Sequence, residues 1–172
     1  MRNHEVVPVA DMTGIMEFAG IWKARGQVFG APGYYVFKMY ATAHATRPVR
    51  VETNGGSYSV KRGVTRLPDI ENAPYLDVVA ALDKSGDRLT LFCVNRSLHT
   101  DIPADVSVDG FASTGTAKVQ TLAAAYLSEG NDEVDPHRVT PVDSVDKVEA
   151  GKVHHTFPHA SVTVITLDRS AQ

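Results

Sequence analysis

Histidines and acidic residues are the side chains of this sequence that could bind a metal ion or carry out acid–base chemistry. Three of the seven histidines, His154, His155 and His159, lie close together near the C-terminus. A zinc site needs three or four converging ligands. Adjacent residues of a β-strand point to opposite faces, so His154 and His155 in a predicted strand do not ligate one ion together. We therefore predict no metal site.

Paired carboxylates would indicate glycoside hydrolysis, which normally uses two carboxyl groups about 5–5.5 Å apart for retention or about 6.5–9.5 Å apart for inversion. Most acids here fall at predicted strand ends and turns, as Asp83 and Asp87 do, where aspartate is ordinary. We therefore predict no catalytic residue in this chain. A stand-alone glycosidase with its own pair is the alternative. It would draw on Asp11, Glu17 and the acids of a polar stretch: Glu129, Asp132, Glu133 and Asp135.

Other nucleophiles have little support. The single cysteine, Cys93, lies in the apolar run of residues 89–94 and is predicted to be a buried core thiol. One cysteine makes no internal disulfide, so nothing marks an oxidising compartment. The sequence has no Gly-x-Ser-x-Gly elbow and no glycine-rich phosphate loop, since Gly55-Gly56 is predicted to be a hairpin turn.

Exposed aromatic side chains could bind sugars by stacking. The candidates are Trp22, Tyr58, Tyr75, Phe111 and Tyr126. Packing in the core and at sheet edges is the ordinary role of such residues, and we expect it here. A non-catalytic sugar-binding module nevertheless remains an open alternative.

The composition indicates one ordinary globular domain. Of the 172 residues, 43% are hydrophobic and 22% are charged, with a formal net charge of −3. No run of lysine and arginine suggests a nucleic-acid surface. No window approaches the roughly 18 apolar residues of a membrane span, and the N-terminus has no apolar leader segment. We expect no nucleic-acid or membrane partner and a cytoplasmic location.

The first 45 residues are predicted to form a short strand at residues 6–10 followed by two helices. Ile15, Phe18, Ala19 and Trp22 follow the spacing of one helix face, with Gly26 as a stop. A second helix is predicted from the residues at 34–40, and Pro32 suits its first turn.

After residue 45 the pattern changes to short runs with a period of two. Strands are predicted at residues 49–53, 75–82, 89–95, 102–108, 117–123, 153–157 and 161–167. Residues 139–142 are predicted to be an edge or a loop because of Pro141, and residues 127–139 a long surface loop. The fold class is therefore mainly β: an antiparallel, jelly-roll-like β-sandwich with a short N-terminal α/β segment.

Several stretches together resemble the C-terminal region of family 51 α-L-arabinofuranosidases. The clearest are residues 73–83, APYLDVVAALD, and residues 89–97, LTLFCVNRS. The ending at residues 157–165, FPHASVTVI, is similar to the close of that domain. Residues 9–14 and 33–40 resemble the last strand and helix of the family's barrel. The order and spacing of the motifs make the resemblance more specific than any single motif.

The resemblance implies a retaining glycosidase in which a (β/α)₈ barrel carries two catalytic glutamates and a C-terminal jelly roll packs against it. A barrel of about 250 residues does not fit here, so both glutamates would precede Met1 and no residue of this sequence matches them. Residues 1–45 would be the end of the barrel and residues 46–172 the sandwich. Some members contact the sugar through a glutamine, a role that falls to Gln27, although its spacing to Tyr34-Tyr35 departs from the family pattern.

The implied function is support of the hydrolysis of arabinose-containing polysaccharides without a cofactor. The implied partners are an arabinose-containing oligosaccharide and either a missing barrel domain or further copies of the chain. The apolar face of Ile15, Phe18, Ala19 and Trp22, with Tyr35 and Met39, is expected to self-associate or to fold back over the sandwich. The motif Asn95-Arg96-Ser97 is expected to be structural, bonding turn backbone and a nearby carboxylate.

Overall fold

A computed structural model describes residues 5–7, 16, 20–61 and 68–170 of the chain, and its regular structure is almost entirely β. The elements are β1 (Ile21–Ala24), β2 (Gln27–Gly30), α1 (Pro32–Thr42), β3 (Arg47–Val49), β4 (Ser57–Val60), β5 (Ile70–Pro74), β6 (Leu76–Leu82), β7 (Arg88–Asn95), β8 (Ile102–Ser107), β9 (Ser113–Leu122), β10 (Val142–Glu149), β11 (Lys152–Phe157) and β12 (Ser161–Arg169). Within these residues, no helix has the length and hydrophobicity that crossing a membrane requires.

Eight strands form one antiparallel sheet in the order β3-β6-β7-β12-β9-β10-β11-β8. The sheet curls at β10, which pairs with β9 through residues 142–147 and with β11 through Val148 and Glu149. The result is a sandwich with a long layer, β3-β6-β7-β12-β9-β10, and a short layer, β10-β11-β8. The predicted antiparallel β-sandwich is confirmed.

The core between the two layers is built from side chains at alternate strand positions. Leu89, Leu91 and Cys93 of β7 enter it together with Ile165 and Leu167 of β12. The short layer contributes Val153 and Phe157 from β11, each only 1% exposed. Because side chains of a strand alternate between faces, the residues between these positions in the long layer point to its outer face.

The outer face of the long layer is covered by α1. Phe92 of β7 and Val164 of β12 form a second cluster there with Met39 of α1. Leu122 and Val139 belong to the same cluster, and the ring of Tyr40 lies 4.3 Å from that of Phe92. Burial on both faces explains the continuous apolar sequence of the central strands.

The helix predicted from residues 34–40 is confirmed as α1, with proline in its first turn. Of the apolar set expected to fold back, Met39 is buried on the sandwich and Tyr35 packs against the same cluster. The helix predicted to include Trp22 is wrong at that residue, which lies in β1. Ile15, Phe18 and Ala19 lie outside the described residues, as do positions 8–10 of the predicted first strand.

The segment around Trp22 is a hairpin because its turn suits tight reversal. Ala24 pairs with Gln27, so Arg25 and Gly26 form a two-residue turn, and both have positive φ (47° and 83°). Type I′ turns need positive φ at both central positions, and glycine adopts it without strain. Gly26 therefore reverses a hairpin instead of ending a helix.

Two predictions for the β-rich part also need correction. β3 ends at Val49 and pairs with β6, whereas β4 pairs with β5, so Gly55-Gly56 is not the turn of a hairpin between β3 and β4. β10 was not predicted, although Val142 begins it directly after Pro141. Its inward positions include Ser144 and Asp146 and its outward positions include the exposed Val145, so its sequence does not show a period of two.

Candidate functional site

Asp83, predicted to be an ordinary turn residue, is held by hydrogen bonds at its turn. Asp83 Oδ1 accepts from the backbone N of Gly86 at 2.7 Å and of Asp87 at 3.0 Å. Desolvation alone would raise the pKa of Asp83, but these hydrogen bonds lower it below its ordinary value. Asp83 therefore fixes the turn between β6 and β7 as a carboxylate.

Three histidine–aspartate pairs join the strands and connections of the short layer. His154 Nδ1 of β11 lies 2.8 Å from Asp105 Oδ1 of β8, directly opposite it in register. His159 Nδ1 lies 2.9 Å from Asp101 Oδ1. The hydrogen bond from each histidine side chain is the largest cause that lowers the pKa of Asp101 and of Asp105.

The third pair, between His155 and Asp146, is more buried than the other two. His155 Nδ1 lies 2.7 Å from Asp146 Oδ2, and the two side chains are 12% and 24% exposed. The imidazole also meets the ring of Phe157 edge-on at 4.7 Å. The three predicted clustered histidines are therefore each paired with a different aspartate. Within the described ranges, no group of three or more His, Cys, Asp or Glu side chains could hold a metal ion.

The acidic side chains of the long loop at residues 123–141 also make hydrogen bonds or ion pairs within the protein. Asp132 Oδ1 accepts from the backbone N of Asp135 at 2.7 Å and of Val134 at 2.9 Å, which lowers the pKa of Asp132. Asp135 pairs with Arg138, and Glu129 accepts from the backbone N of Ala125. A glycosidase general acid needs a raised pKa, and this loop lowers that of Asp132. Asp11 and Glu17 lie outside the described residues.

The motif Asn95-Arg96-Ser97 is structural, as predicted. Buried Asn95 donates through Nδ2 to the backbone O of Thr100 and of Phe157, both at 3.0 Å, and its Oδ1 accepts from Ser97 N at 2.9 Å. Arg96 pairs with Asp77, and Ser97 Oγ accepts from Thr100 N at 3.0 Å. Asn95 thereby joins the end of β7 in the long layer to the end of β11 in the short layer.

Packing accounts for Cys93 and for most of the candidate sugar-stacking aromatics. The Cys93 thiol is buried as predicted, and desolvation raises its pKa to about 12. Phe111 belongs to the core under the guanidinium of Arg169, which lies 4.4 Å from the ring centroid. Tyr58 and Tyr75 pack on each other with centroids 5.0 Å apart. Tyr126, in the long loop, is 70% exposed.

Exposed apolar side chains lie on three neighbouring elements, namely the β1–β2 hairpin, α1 and the long loop. Polar contacts join the hairpin to the long loop. Asn131 of the long loop donates to Gly30 O at 2.7 Å, and Arg25 lies 3.4 Å from Glu133. We call these three elements the docking face; their exposed apolar residues are Val28, Phe37, Tyr126 and Leu127, whereas Trp22, paired with Phe29, points to the opposite side of the hairpin from Val28. Gln27, the predicted sugar-binding residue, is exposed at the start of β2 on this hairpin; its contact with a sugar stays a prediction.

The fold defines the chain as an antiparallel β-sandwich domain with a helix packed on its outer face. The sequence model described as the α-L-arabinofuranosidase C-terminal domain matches residues 7–161. The chain therefore belongs to the family of α-L-arabinofuranosidase C-terminal domains. Among curated proteins, none matches the sequence significantly.

Solved structures support the same fold. An α-L-arabinofuranosidase from Thermotoga maritima in complex with arabinose superimposes with a TM-score of 0.87 at 23% identity, over 97% of this chain and 35% of that one. A family 51 α-L-arabinofuranosidase from Thermotoga petrophila gives 0.86 at 22% identity, over 97% and 35%. One from Bifidobacterium longum gives 0.66 at 19%, over 88% and 29%. The chain thus spans about a third of the length of these structures.

Proposed function

We propose that this chain is the C-terminal β-sandwich portion of an α-L-arabinofuranosidase-like glycoside hydrolase. It supports the hydrolysis of arabinose-containing polysaccharides and carries no catalytic glutamate itself. The observation behind this proposal is the family match over residues 7–161 of a chain that covers only 35% of the Thermotoga maritima enzyme. Asp83, Asp101, Asp105, Asp132 and Asp168 all have a lowered pKa, which suits structural carboxylates.

The catalytic part of the proposal is tested by assaying the purified chain on aryl α-L-arabinofuranosides and aryl galactosides. We expect no turnover above the rate of the uncatalysed reaction. Turnover that is abolished by changing one internal acid, for example Asp146→Asn, would reject the proposal in favour of a stand-alone glycosidase. Asp109→Asn, at an exposed turn position, is the matched control.

The docking face is where this domain would pack against a catalytic barrel. Large exposed apolar patches on soluble proteins mark interaction sites, and Val28 and Phe37 are 63% and 47% exposed. In the isolated chain, the same side chains would be covered by a second copy. The proposal therefore includes self-association of the domain when no barrel is present.

Sedimentation over a range of concentrations tests this association. We expect the double variant Val28→Ser/Phe37→Ser to dissociate at least about tenfold more readily, which corresponds to about 1.4 kcal/mol. The control is Val142→Ser/Val145→Ser, because both valines are 66% exposed but lie on β10, which contributes no residue to the docking face. A chain that is monomeric at every concentration contradicts the proposed self-association. Equal effects of the two double variants would show that the docking face is not the surface through which the copies associate.

A further inference from the structure

The connection between β3 and β4 contains an asparagine that is directly followed by glycine. Residues 50–56 of this connection have no regular secondary structure. Contacts hold the connection near both of its ends: Val51 packs against the core cluster, and Gly56 O accepts a hydrogen bond from Tyr75 N at 3.0 Å. Asn54 lies between these two contacts, where the chain is exposed to solvent.

The side chain of Asn54 and the backbone nitrogen of the next residue are both accessible. Asn54 and Gly55 are exposed, and neither makes a hydrogen bond to any residue that the structure describes. A Cβ atom placed on Gly55 would meet no described atom within 4 Å. The carboxamide of Asn54 is therefore free to rotate toward the nitrogen of Gly55. Because glycine has no side chain, that nitrogen is not hindered.

The other asparagines of the described residues are held in place or hindered. Asn95 is 1% exposed and Asn131 is partly buried, and the side-chain amide of each donates to two backbone carbonyl groups. Asn72 is exposed, but it is followed by Ala73, whose methyl group hinders access to the backbone nitrogen. Within the described part of the chain, the combination of an unrestrained carboxamide and an unhindered nitrogen is therefore specific to Asn54.

We propose that Asn54 is a site of spontaneous deamidation, which proceeds through a cyclic imide formed with Gly55. The backbone nitrogen of Gly55 loses its proton and attacks Cγ of Asn54. The new N–Cγ bond closes the ring, and the Cγ–Nδ2 bond breaks and releases ammonia. Water then adds to one of the imide carbonyl groups and opens the ring, which leaves aspartate or isoaspartate at this position. Asparagine is among the thermolabile residues of proteins, and a nucleophile placed next to its target reacts fast.

The reaction changes the charge and the backbone of the connection between β3 and β4. It adds one negative charge to the formal net charge of −3, close in sequence to the ion pair of Arg50 with Glu52. In the isoaspartate form, the main chain passes through the former side chain and is longer by one carbon atom. Because residues 50–56 pair with no strand, both products are expected to keep the fold. The inference does not depend on the proposed function.

Incubation of the full chain at mildly alkaline pH, followed by isoelectric focusing, tests the proposal. We expect a more acidic form to accumulate, and peptide mapping by mass spectrometry should place both products at Asn54. A synthetic peptide of residues 50–58 gives the rate of the same sequence without the fold. We expect the rate in the chain to lie within about tenfold of the rate in the peptide, since no described contact restrains the reacting groups.

The variant Gly55→Val is the matched control. The space around Gly55 is open and its φ lies outside the left-handed region, so valine fits the fold at this position. We expect this variant to form the acidic species at least about tenfold more slowly than the wild type, because the branched side chain keeps the nitrogen from the carboxamide. The variant Asn54→Asp marks the position of the product in isoelectric focusing.

Three results would overturn the proposal. The first is an equal rate in the wild type and in Gly55→Val, and the second is an acidic form whose modified residue is a different asparagine. The third is a rate in the folded chain more than about tenfold below that of the peptide, which would show that the fold restrains Asn54. The hydrolysis assay does not involve this connection, so either proposal can fail alone.

Discussion

The outward-facing side chains of the two layers of the sandwich differ in their exposure to solvent. Phe92 points outward from the long layer and is 1% exposed, because α1 covers it. His154 points outward from the short layer, and its side chain is 72% exposed beside Asp105. A layer covered on both faces is held by apolar packing, whereas one with a solvated face can use polar pairs at its surface. The difference shows that α1 is an integral part of the core of this domain.

Thiol labelling should give the largest contrast between the layers. Cys93 is the only cysteine, and desolvation raises its pKa to about 12. The variant Cys93→Ser/Ser107→Cys moves the thiol to an exposed position of β8. At pH 8 we expect the wild-type thiol to react with a disulfide reagent about a thousand-fold more slowly than the variant, because its thiolate is scarce. Comparable rates would show that the core of the long layer opens readily.

Truncation of the outward side chains should give the next largest effect. Phe92→Ala removes a ring packed under α1 and is expected to cost about 3–5 kcal/mol in the free energy of unfolding. His154→Ala loses an exposed, solvent-screened pair with Asp105 and is expected to change the free energy of unfolding far less than Phe92→Ala does. Urea unfolding of both variants measures the difference. Similar losses would mean that α1 does not stabilise the long layer.

The contact that joins the layers should have an intermediate effect. Asn95→Ala leaves the carbonyl oxygens of Thr100 and Phe157 without their donor. Because a buried unsatisfied polar group costs about 1–3 kcal/mol, we expect a loss of about 2–3 kcal/mol in urea unfolding. Ser97→Ala removes only a turn bond and should cost less than about 1 kcal/mol. The interpretation fails if Asn95→Ala is no worse than Ser97→Ala.

Acidification should give the smallest effect, a difference in the loss of stability between a variant and the wild type. The pKa values of Asp101 and Asp105 are lowered in the folded state, chiefly by hydrogen bonds from His159 and His154. Their contribution to stability is present above the unfolded pKa of about 3.9 and is lost as the pH falls through the folded values. Asp101→Asn/Asp105→Asn should therefore lose less stability than wild type between about pH 5 and pH 2. Urea midpoints measure this, with Asp109→Asn as the control that should retain the wild-type slope.

Strand positions in the β-rich part could be predicted because local sequence determines them. The runs at residues 75–82 and 89–95 correspond to β6 and β7, and the turn between them contains Asp83 and Gly86. The buried thiol and the structural motif at Asn95 could also be predicted from residue type and neighbours. The pairing of His154, His155 and His159 with three different aspartates could not, because those partners are between nine and 58 positions away.

Predictions failed where a residue's partner, not its own sequence, decides its structure. Trp22 fits a helical spacing, but the Arg25-Gly26 turn and pairing with Phe29 place it in a strand. β10 has the polar residues Ser144 and Asp146 on its inward face where it passes between the layers, and so its pattern is not that of an ordinary half-buried strand.

The sequence by itself determined the β-rich class, the α1 helix and the family, because hydrophobic period, turn residues and motif order are local properties of the chain. Only the tertiary structure decided the curl at β10 and the burial of both faces of the long layer. Each of these depends on which distant strands become neighbours. Neighbours are selected by burial of apolar area across the whole domain, a quantity that no single segment contains.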